Sequence, residues 1–185
     1  MTPPYTTPLV DYRIIADAQR YYAERGFEEV PVPWIVHRPA YYATKPPEAP
    51  DFFSLGGYLN ASGEQGFIEL LMSGAALGRN QCVTACFREE PVLDALHLRY
   101  FMKLELIDTS ATVRSLDAMI VLAKTFIGRY RDVRIIRTDE RRHSYDIVDR
   151  ETGTELGSYG IRTHDDLAWT YGTGVALPRL QTTGS

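Results

Sequence analysis

Cysteine is scarce in this chain: Cys82 and Cys86 are the only two among 185 residues. With no close Cys or His partner they make a poor zinc site, and their spacing on a strand or helix suits buried thiols. A chain of this length buries a sizeable core without disulfides or a structural metal. Long hydrophobic runs are absent too; none reaches the roughly 18 residues a membrane-spanning helix needs. The opening Met-Thr-Pro-Pro-Tyr has neither the charged start nor the apolar stretch of a secretory signal, so a reducing cytoplasm is expected. Positive charge is in short supply, with 20 Lys and Arg against 24 Asp and Glu and a formal charge of −4. That balance disfavours a uniformly basic nucleic-acid binder and leaves a local basic patch open. What is present is 44% hydrophobic and 24% charged side chains, a composition that suits one compact domain.

Residues 1–8, rich in Pro and Thr, read as a flexible arm, and 9–185 as a single domain. From about Leu9 to Arg25, Val10, Ile14, Ala18, Tyr21 and Tyr22 recur at helical spacing, and Gly26 stops the helix. Phe27 to Val36 reads as a strand confined to an edge or interface, because Pro31 and Pro33 lack a ladder donor. Residues 37–50 hold four prolines and read as a loop. A Gly-rich strand and turn over Phe52–Asn60, a helix over Glu64–Leu77 and a strand over Gln81–Arg88 follow. A turn with Pro91 and Asp94 comes next.

From Leu98 to Ile107 the side chains alternate: Leu98, Tyr100, Met102, Leu104 and Leu106 face one way, and Arg99, Phe101, Lys103 and Glu105 the other. Taken alone, such a strand simply turns its charges to solvent. A helix over Val113–Tyr130 precedes strands near Val133–Arg137, Ser144–Val148 and Glu155–Arg162, with a hairpin turn at Asp149–Thr154. The pattern predicts an α+β domain with a mainly antiparallel sheet flanked by helices.

Three segments then stand out together. The first runs Ala18-Gln19-Arg20-Tyr21-Tyr22-Ala23-Glu24-Arg25-Gly26-Phe27 and on through Glu28-Glu29-Val30-Pro31-Val32-Pro33, as helix, Gly-Phe, strand and proline. The second is Cys86-Phe87-Arg88-Glu89-Glu90, a short loop, and His97-Leu98-Arg99-Tyr100-Phe101-Met102-Lys103-Leu104-Glu105. The third is Tyr171-Gly172-Thr173-Gly174-Val175-Ala176-Leu177-Pro178-Arg179-Leu180. In this order they resemble motifs 1, 2 and 3 of the class II aminoacyl-tRNA synthetases. The loop Leu93–His97 and the run Glu155–Arg162 are similar to the aspartate/asparagine/lysine subclass and to its relative, ammonia-dependent asparagine synthetase.

The resemblance implies an ATP- and Mg2+-dependent enzyme that makes an aminoacyl adenylate. It implies that Arg88 clamps the α-phosphate, Glu90 accepts from the adenine amino group, Phe101 stacks on the ring and His97 lies near the outer phosphates. By the same pattern Arg179 flanks the γ-phosphate, and Gly172 and Gly174 let the backbone approach the nucleotide; alone, this pair would read as an ordinary turn. An arginine is suited to the clamp because it neutralises charge developing at phosphorus in bidentate fashion. Magnesium falls to Asp146 and Glu155, with Glu105 a third candidate; the bland alternative is a solvated hairpin with surface acids.

Arg162, seven residues after Glu155, takes the place of the arginine that grips a substrate's side-chain carboxylate. A surface ion pair is the alternative. Gln65 and Lys103 complete the expected substrate site. Ile68 replaces a lysine that aspartyl enzymes use, Tyr100 replaces a glutamate and Leu96 an arginine. Only six residues follow Arg179, and no anticodon-binding domain is expected. Arg129, Arg131, Arg134, Arg137, Arg141 and Arg142 read as a solvated surface or as a dock for a phosphorylated acceptor.

The implied reaction is in-line attack by a carboxylate on ATP, which needs no protein nucleophile and fits the lack of a Ser/His/Asp or Cys/His arrangement. The acceptor is a small amine, a carrier protein or tRNA. The motif 1 resemblance implies a homodimer with Trp34 and Ile35 buried between subunits. The competing expectation is a catalytically inactive relative that binds nucleotide or amino acid as a regulatory or partner subunit.

Overall fold

A computed structural model describes residues 9–54, 56–90, 93, 94, 96–139 and 143–181. The expected arm at 1–8 and the arginines Arg141 and Arg142 lie outside the described residues.

Helix α1, Tyr12–Ala23, starts at Asp11, whose side chain accepts from the Arg13 amide. It stops where Gly26 takes a left-handed φ of +84°. The stretch expected as one strand is two short ones: β1, Glu28–Glu29, and β2, Ile35–Val36. They belong to different sheets, because the prolines between them cannot continue a ladder. The expected loop at 37–50 contains a helix, α2, Arg38–Thr44. The proline responsible for the loop reading, Pro39, sits in its first turn, where no intrahelical donor is lost.

The hairpin β3, Phe53–Ser54, and β4, Gly57–Leu59, joins β2 in a three-stranded sheet. Helix α3, Gly63–Met72, is capped by Ser62. Strands β5, Arg79–Phe87, and β6, Tyr100–Asp108, precede α4, Val113–Ile127, which opens on a capping box between Thr112 and Ser115. Strands β7, Val133–Asp139, β8, Ser144–Asp149, β9, Glu155–His164, and β10, Leu167–Leu177, complete the chain. The last is the longest strand. Its C-terminal half, read from the sequence only as a glycine-bearing motif, is no turn.

The main sheet has the order β1-β5-β6-β10-β9-β8-β7 and is antiparallel except where β1 joins β5. The expected α+β architecture is therefore the observed one. Against one face lie α1 and α4, sealing a core of Tyr22, Phe27, Leu104, Leu106, Phe126 and Tyr159. Burying each large apolar side chain contributes about 1.5–3 kcal/mol. Against the other face lies α3, around Phe67, Ile68, Trp169 and Tyr171. Strand β7 is an outer edge and is exposed from Arg134 through Thr138.

Candidate active site

Because β6 is covered on both faces, its alternation does not separate core from solvent. Leu104 and Leu106 enter the core under α1 and α4, while Lys103 and Glu105, only 9% and 1% exposed, point to the α3 side. The solvent-facing reading of those charges is overturned. They belong to the wall of a cavity of about 500 Å³ whose lining also includes Arg88, Glu90, Glu155 and Arg162. A second, smaller cavity adjoins it, sharing Arg88, Glu90, Lys103 and Glu155 and adding Phe101, Thr173 and Arg179.

At one end Arg88 follows β5. Its Nε donates to the Ala61 carbonyl at 3.3 Å and its guanidinium lies 5.0 Å from the centre of the Phe101 ring. No carboxylate pairs with it among the described residues, and Glu90 has neither a hydrogen bond nor an ion pair among them. Arg179 stands across the smaller cavity, 3.6 Å from the Glu155 carboxylate, and its Nη2 donates to the Leu96 carbonyl at 3.4 Å. His97 lines neither cavity. Its Nδ1 lies 2.9 Å from both oxygens of Asp94. The amides of Leu96 and His97 also donate to Asp94. With His97, they hold its carboxyl down at about 2.

Gly172 and Gly174 need a different explanation from close approach to a nucleotide. A Cβ at Gly172 would lie 2.5 Å from the Met119 sulfur, and one at Gly174 2.3 Å from Leu104 Cδ2. Their bare side therefore faces the core under α1 and α4, and neither lines the two cavities. The strand bulges between Thr173 and Val175. There the Thr173 carbonyl accepts from Tyr159 and the Gly174 carbonyl from the buried Tyr22, satisfying backbone oxygens displaced from the ladder.

The other end of the larger cavity is built on α3. Gly63 lets the helix start close to the sheet: a Cβ there would lie 2.8 Å from Cys82 Sγ and 3.0 Å from Glu105 Cβ. Ser62 can thus donate to Glu105 at 2.8 Å, while Lys103 donates to the other Glu105 oxygen at 2.8 Å. Glu64, which the sequence reading missed, pairs with Arg162 of β9 and accepts from Trp169 Nε1 at 2.6 Å. Burial raises its pKa above the ordinary carboxyl value, only partly offset by Arg162 and Trp169. Arg162 also lies over the Tyr171 ring at 4.1 Å. Arg162 thus already has a carboxylate partner within the chain, Glu64. Gln65 is buried, holding the Ala61 amide at 2.7 Å and the Tyr41 carbonyl at 2.9 Å.

Of the three acids expected at magnesium, Glu105 does not fit, since both oxygens are engaged. Asp146 and Glu155 fit better. Asp146 pairs across strands with Ser158 rather than Glu155, yet burial and the Glu155 charge together raise its pKa, a repulsion a cation would relieve. No group of three or more His, Cys, Asp or Glu able to hold a metal occurs among the described residues. Cys82 and Cys86 are buried and free, and burial pushes the Cys86 thiol up to about 12, as expected of inert thiols. Of the arginine cluster, Arg129 covers Tyr21 at 4.6 Å and Arg131 donates to the Leu180 carbonyl at 3.1 Å. Those two serve packing.

A pyrrolysyl-tRNA synthetase from Desulfitobacterium hafniense superposes on 91% of this chain and 66% of its own, with a TM-score of 0.71 and 17% identity. A second structure of that enzyme gives 91% and 67% coverage, a TM-score of 0.69 and 20% identity. A seryl-tRNA synthetase from Pyrococcus horikoshii complexed with ATP matches 92% of this chain and 49% of its own, with a TM-score of 0.78 and 17% identity. The fold is that of a class II synthetase catalytic domain. The chain spans between half and two thirds of these synthetases. No protein-family model and no curated protein matches it. These neighbours are pyrrolysyl and seryl enzymes, so the aspartate/asparagine/lysine subclass rests on the sequence motifs alone. No helix among the described residues is long and apolar enough to cross a membrane.

Proposed function

We propose that the chain is the catalytic domain of an AMP-forming ligase that activates a polar, asparagine-like amino acid as its adenylate and passes it to an acceptor. The observation that carries this reading is that, among the described residues, Arg88 has no carboxylate partner and Glu90 no ion pair, beside Phe101 in a cavity that shares its lining with a second chamber. A buried or half-buried charge without a partner is costly, and ATP supplies both partners: an α-phosphate for Arg88 and an adenine amino group for Glu90. The seryl enzyme of the same fold is complexed with ATP.

In this reading the substrate carboxylate attacks the α-phosphorus in line and the bond to the β-phosphate breaks to release pyrophosphate, while Arg88 neutralises the developing charge, Phe101 stacks on adenine and Arg179 closes the far side. Asp146 and Glu155 would hold magnesium, which would screen the triphosphate. Amino-acid-dependent exchange of pyrophosphate into ATP is the expected activity. A flat response to every amino acid would instead support an inactive binding relative.

A homodimer is part of the same proposal. Trp34 and Ile35, 49% and 46% exposed in the single chain, form an apolar surface next to the proline-bearing segment. Sedimentation at micromolar concentration should give twice the 20.9 kDa chain mass; a monomer would remove this part.

A further inference from the structure

Resting on the ligase reading above, we infer that the amino acid it takes carries an uncharged, hydrogen-bond-accepting side chain, such as an amide, carbonyl or hydroxyl. Aspartate and glutamate are excluded by the carboxylate already standing on Arg162. Among the described residues four cations line the larger cavity, and three are discharged by this chain's own acids. Lys45, in its roof, lies 3.3 Å from Asp51; Lys103 is held by Glu105; Arg162 is held by Glu64. The fourth, Arg88, lies at the nucleotide end.

The pairs cannot easily rearrange. Glu64 and Glu105 are 4% and 1% exposed, and each is anchored by a second donor, Trp169 Nε1 and Ser62 Oγ respectively. An incoming side-chain carboxylate would have to push Glu64 off the guanidinium and leave two carboxylates together in a buried place. Burial already disfavours the Glu64 charge, so a second negative group there would be worse placed still.

A neutral acceptor meets no such conflict. Arg162 uses one nitrogen for Glu64, and its side chain remains 37% exposed. A guanidinium carries five N–H donors in a fixed fork, so the open ones can serve an amide or hydroxyl oxygen. A site built to donate to a side-chain oxygen also rejects apolar analogues, because its own polar groups would be left unpaired. Glu64 is thus a specificity-determining residue that acts by occupying the cation.

The test uses the intact chain with two readouts, pyrophosphate exchange and calorimetric binding of free amino acids, for wild type and Glu64→Gln. Glutamine keeps an oxygen for Trp169 but removes the negative charge from Arg162. Wild type should respond at least 10-fold better to asparagine, glutamine, serine or another neutral acceptor than to aspartate or glutamate. Folded Glu64→Gln should shift that ratio at least 10-fold toward the acidic pair. If the variant does not fold by circular dichroism, the wild-type ranking decides alone.

A wild type that prefers aspartate or glutamate, or one that ranks leucine and valine first, overturns the inference. So does a folded variant with an unchanged ratio. If no amino acid supports exchange, the ligase reading fails; selective binding of neutral acceptors would then still uphold the inference, and binding of none would overturn it.

Discussion

Among the described residues, Arg88 and Glu90 stand at one end of the site with no ion pair, while at the other end Glu64, Arg162, Lys103 and Glu105 are already matched in pairs. The first arrangement leaves its charges open to a ligand; the second is matched within the chain. The difference teaches that charges lining one cavity need not have one purpose. Removing an unmatched charge should cost function and spare the fold, whereas removing half of a matched pair should cost the fold.

The largest effect expected from that contrast is at Arg88. Arg88→Ala should lower adenylate formation by about 10²–10³-fold, the scale lost with one preorganised transition-state donor, at unchanged thermal stability. Full turnover in the folded variant would end the assignment. Next, the two glutamates can be set against each other in urea unfolding. Glu64→Ala leaves Trp169 Nε1 without its acceptor and Arg162 without its counter-charge, for a loss of about 1–3 kcal/mol, moderated by the partial exposure of Arg162. Glu90→Ala should stay within about 0.5 kcal/mol of wild type. Equal losses at the two positions would erase the distinction.

The grouping of Arg88, Phe101 and Lys103 around one cavity was legible in the sequence, because a strand end and the period-two strand that pairs with it carry them in sequence order. The Glu64–Arg162 pairing at the other end was not. Glu64 looks like an ordinary acid in the first turn of a helix, a position acids favour anyway, and its partner lies 98 residues away. Arg162 was found, but no pattern along the chain says that a helix brings it a carboxylate. Helix α2 was hidden because a proline excludes a helix interior yet suits a first turn, and spacing alone did not distinguish the two. The glycines of β10 stand out in the sequence, but that their bare side faces the core under α1 and α4 was not legible, since which face of a strand lies bare depends on what packs there.

Gly174→Ala puts that last point to measurement. The added methyl must displace Leu104 and Tyr22, costing about 1–3 kcal/mol, while nucleotide affinity of the folded protein stays unchanged. A stable variant with weakened ATP binding would return the glycine to the nucleotide. The smallest effect expected is at Asp146, whose pKa in the folded chain lies above the ordinary value. The unfolded chain therefore loses this proton first as pH rises, and stability declines between the ordinary and the raised value, then levels off. Asp146→Asn should remove that decline: Tm above wild type at neutral pH, converging with it near about pH 3. A lower Tm for the variant at neutral pH would show that the carboxylate is stabilising there.

The outer strand β7 carries a consequence for colloidal behaviour. Seven residues long and, among the described residues, paired along one edge alone, with Ile135 and Ile136 40% and 36% exposed, it is shaped to recruit another strand. Arg134 and Arg137 bracket the two isoleucines, so a second copy aligned edge to edge would bring like charges together in an otherwise acidic protein. Neutralising both arginines should therefore lower solubility before it alters the fold.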